Sequence, residues 1–241
     1  MRPSGEQYRI EAADYEAVIT QVGGTLRSLV HQGRPLVAGF DEKEVRPLYR
    51  GALLAPWPNR IADGRYEFGG TAHQLPVNEV ERSNALHGLV LWNDWTPVRH
   101  EPDRIELGCR LFPRDGYPFQ LDLSATYAVT ADGLHCELTA LNSGDSDAPY
   151  GCGPHPYVVA GRGRVDDWTL ELPANRYLDV TPDRLLPLEE KPVEGTPLDF
   201  RTPRVIGDTF IDHAFTGLAR DGDGLARVTV LSPDGTGVEV S

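Results

Sequence analysis

Apolar and polar residues alternate strictly along several short stretches of the chain. In IELGCRL (105–111), Ile105, Leu107, Cys109 and Leu111 share one phase, and Glu106 and Arg110 share the other. In LDLSATYAV (121–129) the apolar phase is Leu121, Leu123, Ala125, Tyr127 and Val129. In LHCELTA (134–140) it is Leu134, Cys136, Leu138 and Ala140. A period of two marks strands with one covered face, so the apolar phase, with Cys109 and Cys136 on it, is expected in the core. The last two runs are separated by Thr130-Ala131-Asp132-Gly133, a short turn that predicts a hairpin. WTLEL (168–172) is a further strand. Turn signals at Gly23-Gly24, Gly69-Gly70, Asn142-Ser143-Gly144 and Asp234-Gly235 punctuate the rest. No stretch carries a sustained helical period, and prolines interrupt most candidate windows. The pattern predicts an all-β, mostly antiparallel fold, a sandwich or barrel. No internal repeat or composition break divides it, so a single domain over 1–241 is expected.

Composition sharpens this picture. The 241 residues are 40% hydrophobic, enough for a sizeable core, and the 25 glycines and 20 prolines fit many short strands. A net charge of −13 argues against nucleic acid, whose phosphates need neutralising cations. It argues equally against an anionic membrane surface. A neutral small molecule fits. The three cysteines contain no C-x-x-C pair, so neither a disulfide framework nor a zinc knuckle is expected. MRPSGEQYRIEAADYEA lacks the apolar centre of a signal peptide, and no run approaches the ~18 apolar residues of a membrane span. A soluble, cytoplasmic protein is expected. The sequence carries no indication of oligomeric state.

Familiar nucleophile, zinc and phosphate-loop motifs are absent. The spacings of His87, His155 and His213 match no metal signature, and neither metal nor cofactor is expected. What stands out is a set of polar residues in stiff surroundings. In PYGCGPHPYV (149–158), His155 lies between Pro154 and Pro156. Proline fixes φ and pushes the residue before it into an extended conformation, so the imidazole is carried on a constrained backbone. Arg60 follows Pro56-Trp57-Pro58-Asn59, His87 precedes Gly88, and Asp212 lies between Ile211 and His213. Trp57, Trp92, Trp95 and Tyr157 interleave with them; Trp92 and Trp95 read as packing residues rather than as a platform. Aromatic faces with a few fixed donors and acceptors suit a sugar. On pattern alone, scattered structural roles fit the same residues.

The segments GGTLRSLV (23–30), APWPNRIADGRYEFGG (55–70), LPVNE (75–79), NALHGL (84–89), GYPF (116–119), GPHPY (153–157) and IDHAF (211–215) follow one another along nearly the whole chain. Together they resemble the aldose 1-epimerase (galactose mutarotase) family. The resemblance implies a galactose-mutarotase-like β-supersandwich. It implies cofactor-free interconversion of the α and β anomers of a free hexose. It also implies roles: Arg60 and Asn59 bind the sugar, His87 lines it near the ring oxygen, His155 is the general acid, and Asp212 holds hydroxyls. The family's general-base glutamate lies beyond the Asp motif. Here the sequence reaches VTVLSPDGTGVEVS, so the chain is expected to be C-terminally incomplete, without that base. Its return strand GVEV is expected to have barely begun, leaving an unpaired edge, and its turnover alone to be weak. Glu239 is assigned no role. Two alternatives stay open. One is a non-catalytic sugar-binding protein that keeps Arg60, His87 and Asp212. The other is a mutarotase for a phosphorylated or sulfonated sugar, with Arg27, Arg50, Arg82 and Arg162 as candidate cations, each of which also reads as a solvated surface charge.

Overall fold

The computed structural model describes residues 2–241, which group into two compact units, one up to Tyr157 and one over Val158–Ser241. Strands dominate both, as the alternation predicts, and the helical content among the described residues is two single 3-10 turns.

The first unit begins with an antiparallel meander of β1 (Gln7–Ala12), β2 (Tyr15–Thr20), β3 (Leu26–His31) and β4 (Arg34–Pro35). Short strands follow: β5 (Ala52–Leu54), β6 (Arg60–Ala62), β7 (Arg65–Phe68), β8 (Thr71–Gln74) and β9 (Asn84–Leu86). A second four-stranded antiparallel sheet contains β10 (Thr96–His100), β11 (Arg104–Leu111), β12 (Leu121–Thr130) and β13 (Gly133–Asn142). Then β14 (Gly153–His155) returns to pair with β5. Strand β6 pairs with β9, and β7 with β8.

The alternation in β11 and β12 appears directly as burial: Ile105, Leu107, Leu121 and Tyr127 are inside. Fully burying such side chains contributes about 1.5–3 kcal/mol each. The β12–β13 hairpin closes at Thr130↔Gly133 with Ala131 and Asp132 at its tip, as expected. Gly69 and Gly70 join β7 to β8 with φ of 59° and 75°, the left-handed pair that a two-residue hairpin needs. Cys109 is buried, but Cys136 is exposed. The core expectation fails for Cys136 because β13 is an outer strand, whose apolar phase is covered only in part: Leu134, Leu138 and Ala140 are half-buried. Trp95 is fully buried, whereas Trp92 is exposed and carries the Arg46 guanidinium 4.5 Å from its ring centre.

The second unit contains β15 (Thr169–Glu171), β16 (Ala174–Val180), β17 (Pro187–Pro192), β18 (Arg204–Val205), β19 (Phe215–Leu218), β20 (Val228–Leu231) and β21 (Gly237–Val240). One sheet has the order β18-β15-β20-β21 and the other β17-β16-β19. Ala160, Trp168, Leu170, Phe200 and Ile206 form its core. The segment GVEV is a four-residue strand, paired along its length, rather than one that has barely begun. It pairs with β20 from Leu231↔Gly237 to Val228↔Val240, because the Asp234-Gly235 turn sets the register at once. Strand β21 is the outer strand of its sheet. Among the described residues, no helix is long and apolar enough to cross a membrane.

Candidate active site

The site is built on the β6–β9 ladder, in which Arg60 pairs with Leu86 and Ala62 with Asn84. All three residues of β9 are buried, so their backbone groups need partners. The Asn78 side chain supplies those of Leu86: its amide donates to the Leu86 carbonyl at 2.9 Å, and its oxygen accepts the Leu86 N–H at 2.6 Å. Asn59 precedes β6 and His87 follows β9, so the ladder sets them face to face. The His87 N–H donates to the Asn59 carbonyl at 2.9 Å, and the Asn59 N–H donates to His87 Nδ1 at 3.2 Å. Both backbones are left-handed, with φ of 60° at Asn59 and 65° at His87, conformations that cost free energy for residues other than glycine. The next residue must be glycine: a Cβ at Gly88 would lie 2.0 Å from the Ala55 carbonyl oxygen.

His155 ends β14 opposite Ala52, and its carbonyl accepts the Gly51 N–H at 2.8 Å. The two flanking prolines thus hold an extended strand residue, as the sequence implies. Its ring lies 5.1 Å from that of His87, centre to centre, and 5.4 Å from that of Tyr157. Tyr49 closes the cluster, with its ring 4.8 Å from His87 and 6.4 Å from His155. Tyr49 is itself left-handed and packs against Ala52, Leu54 and Leu91.

Arg60 is held from one side. Its Nε donates to Glu79 Oε2 at 2.9 Å, one terminal nitrogen donates to Oε1 at 3.0 Å, and the other donates to Asn59 Oδ1 at 3.0 Å. The side chains of Arg60 and Glu79 are only 16% and 11% exposed. Asn84 donates to Glu79 Oε2 at 2.8 Å. Burial pulls the Glu79 pKa upward, but the hydrogen bonds from Arg60 and Asn84 and the charges of Arg60 and Arg82 outweigh it, and the carboxyl is held below its ordinary range. A guanidinium has five N–H groups. Three are committed here, which leaves one on each terminal nitrogen uncommitted among the described residues.

Burial, then repulsion from His155 and Arg60, pushes the His87 pKa down to about 4 against the opposing pull of Glu79. Because Nδ1 accepts the Asn59 N–H, the neutral ring carries its proton on Nε2, an assignment made from the hydrogen-bond pattern. Burial is also the main cause lowering His155; its own backbone opposes the shift, and Arg46 adds to it. His155 Nδ1 is buried with no hydrogen-bond partner among the described residues.

The first unit therefore brings together Arg60, Asn59, His87 and His155. Asp212 belongs to the second unit, where it is exposed on the segment between β18 and β19, its N–H 3.3 Å from Nδ1 of His213. Among the candidate cations, Arg50 sits 5.7 Å from the Tyr157 ring centre and Arg82 lies 3.4 Å from Glu79. Arg27 bonds the Phe40 carbonyl, and Arg162 is exposed in the second unit.

The sequence matches the aldose 1-epimerase family profile over residues 6–241. The chain belongs to the aldose 1-epimerase family. It is 36% identical over 234 residues to the uncharacterized protein YihR of Escherichia coli K12, a match covering 97% of this chain and 74% of that protein. It is 30% identical over 236 residues to the galactose mutarotase of Mus musculus, covering 89% of this chain and 67% of the relative. The crystal structure of a GalM/aldose epimerase homologue from C. elegans superposes with a TM-score of 0.83 at 22% identity, covering 95% of this chain and 76% of that one. That likeness shows the galactose-mutarotase-like fold. For a chain of the aldose 1-epimerase family, the cluster offers two close imidazoles and a fixed guanidinium, a set able to donate hydrogen bonds to hydroxyls and to move a proton at one atom.

Sequence reasoning missed Glu79 and Tyr49. Glu79 lies in the LPVNE segment, but its partner Arg60 is 19 residues away, beyond any short-range motif. Tyr49 follows Leu48, and both are left-handed. Neither is a Gly, Asn or Asp that would announce such a turn.

Proposed function

We propose that this chain binds the pyranose form of an aldose and interconverts its α and β anomers. Family membership makes it a sugar-directed, mutarotase-like protein. The observation that carries the finer reading is the pair of imidazoles 5.1 Å apart beside an Arg60 that Glu79 holds in place. Mutarotation opens the ring at C1–O5. The C1 hydroxyl gives its proton to solvent water, no side chain being assigned as base, O5 takes one from His155 as the C1–O5 bond breaks, and the aldehyde rotates and recloses on its other face with both transfers reversed. His155 is the general acid at O5; burial, the first cause of its lowered pKa, makes the imidazolium a stronger proton donor and also a scarcer one at neutral pH. His87, uncharged with its proton on Nε2, donates a hydrogen bond near the ring oxygen. Arg60 and Asn59 bind hydroxyls with the N–H groups that remain to them. The proposed role of Asp212 as an acceptor for hydroxyls rests on the match of IDHAF to the family.

The decisive experiment follows the optical rotation of freshly dissolved α-glucose and α-galactose. Only weak acceleration over the solvent rate is expected of this chain, for which no general base is assigned, and His155→Gln should return the rate to that of solvent, as loss of a positioned acid requires, while sugar binding persists. An unchanged rate in His155→Gln removes His155 from the mechanism. A second reading, sugar binding without turnover, is favoured by the state of Glu79. This carboxylate beside the imidazoles already accepts from Arg60 and Asn84, so it is not offered as the base. Saturable sugar binding with optical rotation relaxing at the solvent rate would select that reading. Parallel titrations with neutral, phosphorylated and sulfonated hexoses identify the substrate class.

A further inference from the structure

We propose that Glu79 is a positioning residue: acting through Arg60 and Asn59, it locks His87 as the Nε2–H tautomer and aims the remaining Arg60 N–H groups at the ligand. The ligand half of this rests on the sugar-binding reading above; the tautomer half does not. The chain of contacts begins at the backbone. Glu79 donates its N–H to the Asn84 carbonyl at 3.0 Å, and the Asn84 side chain returns a bond to Oε2, so the carboxylate plane is fixed from below. Its two oxygens take Nε and one terminal nitrogen of Arg60. A two-point contact between planar groups sets orientation as well as distance. The other terminal nitrogen must then face away from Glu79, and there it meets Asn59 Oδ1 at 3.0 Å. That bond anchors the Asn59 side chain while its backbone holds the left-handed φ of 60°. In this conformation the Asn59 N–H points at His87 Nδ1, and the Asn59 carbonyl receives the His87 N–H.

The consequence is chemical. A neutral imidazole has one donor and one acceptor nitrogen. With Nδ1 taken as acceptor, Nε2 must carry the proton, so His87 donates to a bound oxygen. The opposite tautomer would present a lone pair there.

The test reads the imidazole directly. Nitrogen–proton correlation spectra of the ligand-free wild type should show His87 solely as the Nε2–H tautomer. Glu79→Gln retains only one acceptor oxygen and should give a mixture of both tautomers. It should also weaken sugar binding at least tenfold, and Glu79→Asp should restore part of both. A folded Glu79→Gln protein with His87 still solely Nε2–H overturns the proposal, whatever happens to affinity. If Glu79→Gln fails to fold, the double variant Glu79→Met/Arg60→Met removes both charges together and is read the same way: a single Nε2–H tautomer there overturns the lock. A wild type that binds no sugar would defeat the functional reading above while leaving the tautomer result to decide the role of Glu79.

Discussion

At the scale of the residue, His87 is held uncharged by three causes acting together: burial, the neighbouring His155 and Arg60, and a backbone N–H occupying Nδ1. Its folded pKa of about 4 lies below the ordinary value near 6.5. The unfolded chain therefore binds the extra proton first, and the stabilisation is fully present above about pH 6.5. It is lost progressively as the pH falls through about 4 and is flat beyond. Discounted for solvent access, the loss is about 2–3 kcal/mol. Urea denaturation between pH 7 and 3.5 should show this decline in the wild type and a shallower one in His87→Gln, which has no proton to gain. Parallel curves would mean that His87 is not held neutral by the fold. Much of this residue-level chemistry was legible. Pro154 and Pro156 announce a constrained His155, and the motif match names Arg60 and His87. Glu79 was not legible, because its importance comes from a partner 19 residues away across a ladder, and no local pattern records that pairing.

Among the elements, legibility follows whether a strand has a covered face. Strands β11 and β12 alternate because one side of each is buried. Strand β17, PLEEKP, has five exposed residues of six and two terminal prolines. It is a strand because β16 offers it hydrogen bonds from Arg176↔Pro192 to Val180↔Pro187, a fact outside its own sequence. The glycines separate in the same manner. Gly69 and Gly88 both have positive φ, but a Cβ at Gly69 meets nothing within 4 Å, whereas at Gly88 it strikes the Ala55 carbonyl at 2.0 Å. Gly69→Ala should cost about 1 kcal/mol, the conformational part alone. Gly88→Ala adds a collision with backbone at the bridge between Ala55 and Gly88 and should cost about 3 kcal/mol. It should also disturb His87 next to it. Chemical denaturation of the two variants side by side checks the difference; equal costs would show that the Gly88 contact relaxes freely.

The whole molecule separates what composition can say from what it cannot. The boundary between the two units falls between Tyr157 and Val158, inside HPYVV. No change in residue type marks it, because both sides are strand-forming sequence of the same character. Net charge, by contrast, is read directly and has a consequence for the ligand. A molecule carrying −13 repels anions at distances up to the Debye length, about 10 Å at 0.1 M salt. A neutral hexose does no Coulomb work on approach, so its dissociation constant should change by less than about twofold between ~10 mM and ~500 mM salt. A phosphorylated or sulfonated hexose must cross the repulsive field before it meets any cation. Near the imidazole cluster the cations at hand are Arg60 and Arg82, both paired with Glu79, Arg46, whose guanidinium lies over Trp92, and Arg50, whose guanidinium lies over Tyr157. The field should win for such a ligand, which would then bind more weakly than its neutral parent and improve as salt rises. If Arg50 and Arg82 instead form an anion subsite, close-range attraction dominates and affinity for the charged sugar falls with salt. Calorimetric titration of a hexose and its 6-phosphate at the two salt concentrations reads the sign directly. Affinity for the phosphate that decreases with salt would overturn the neutral-sugar assignment.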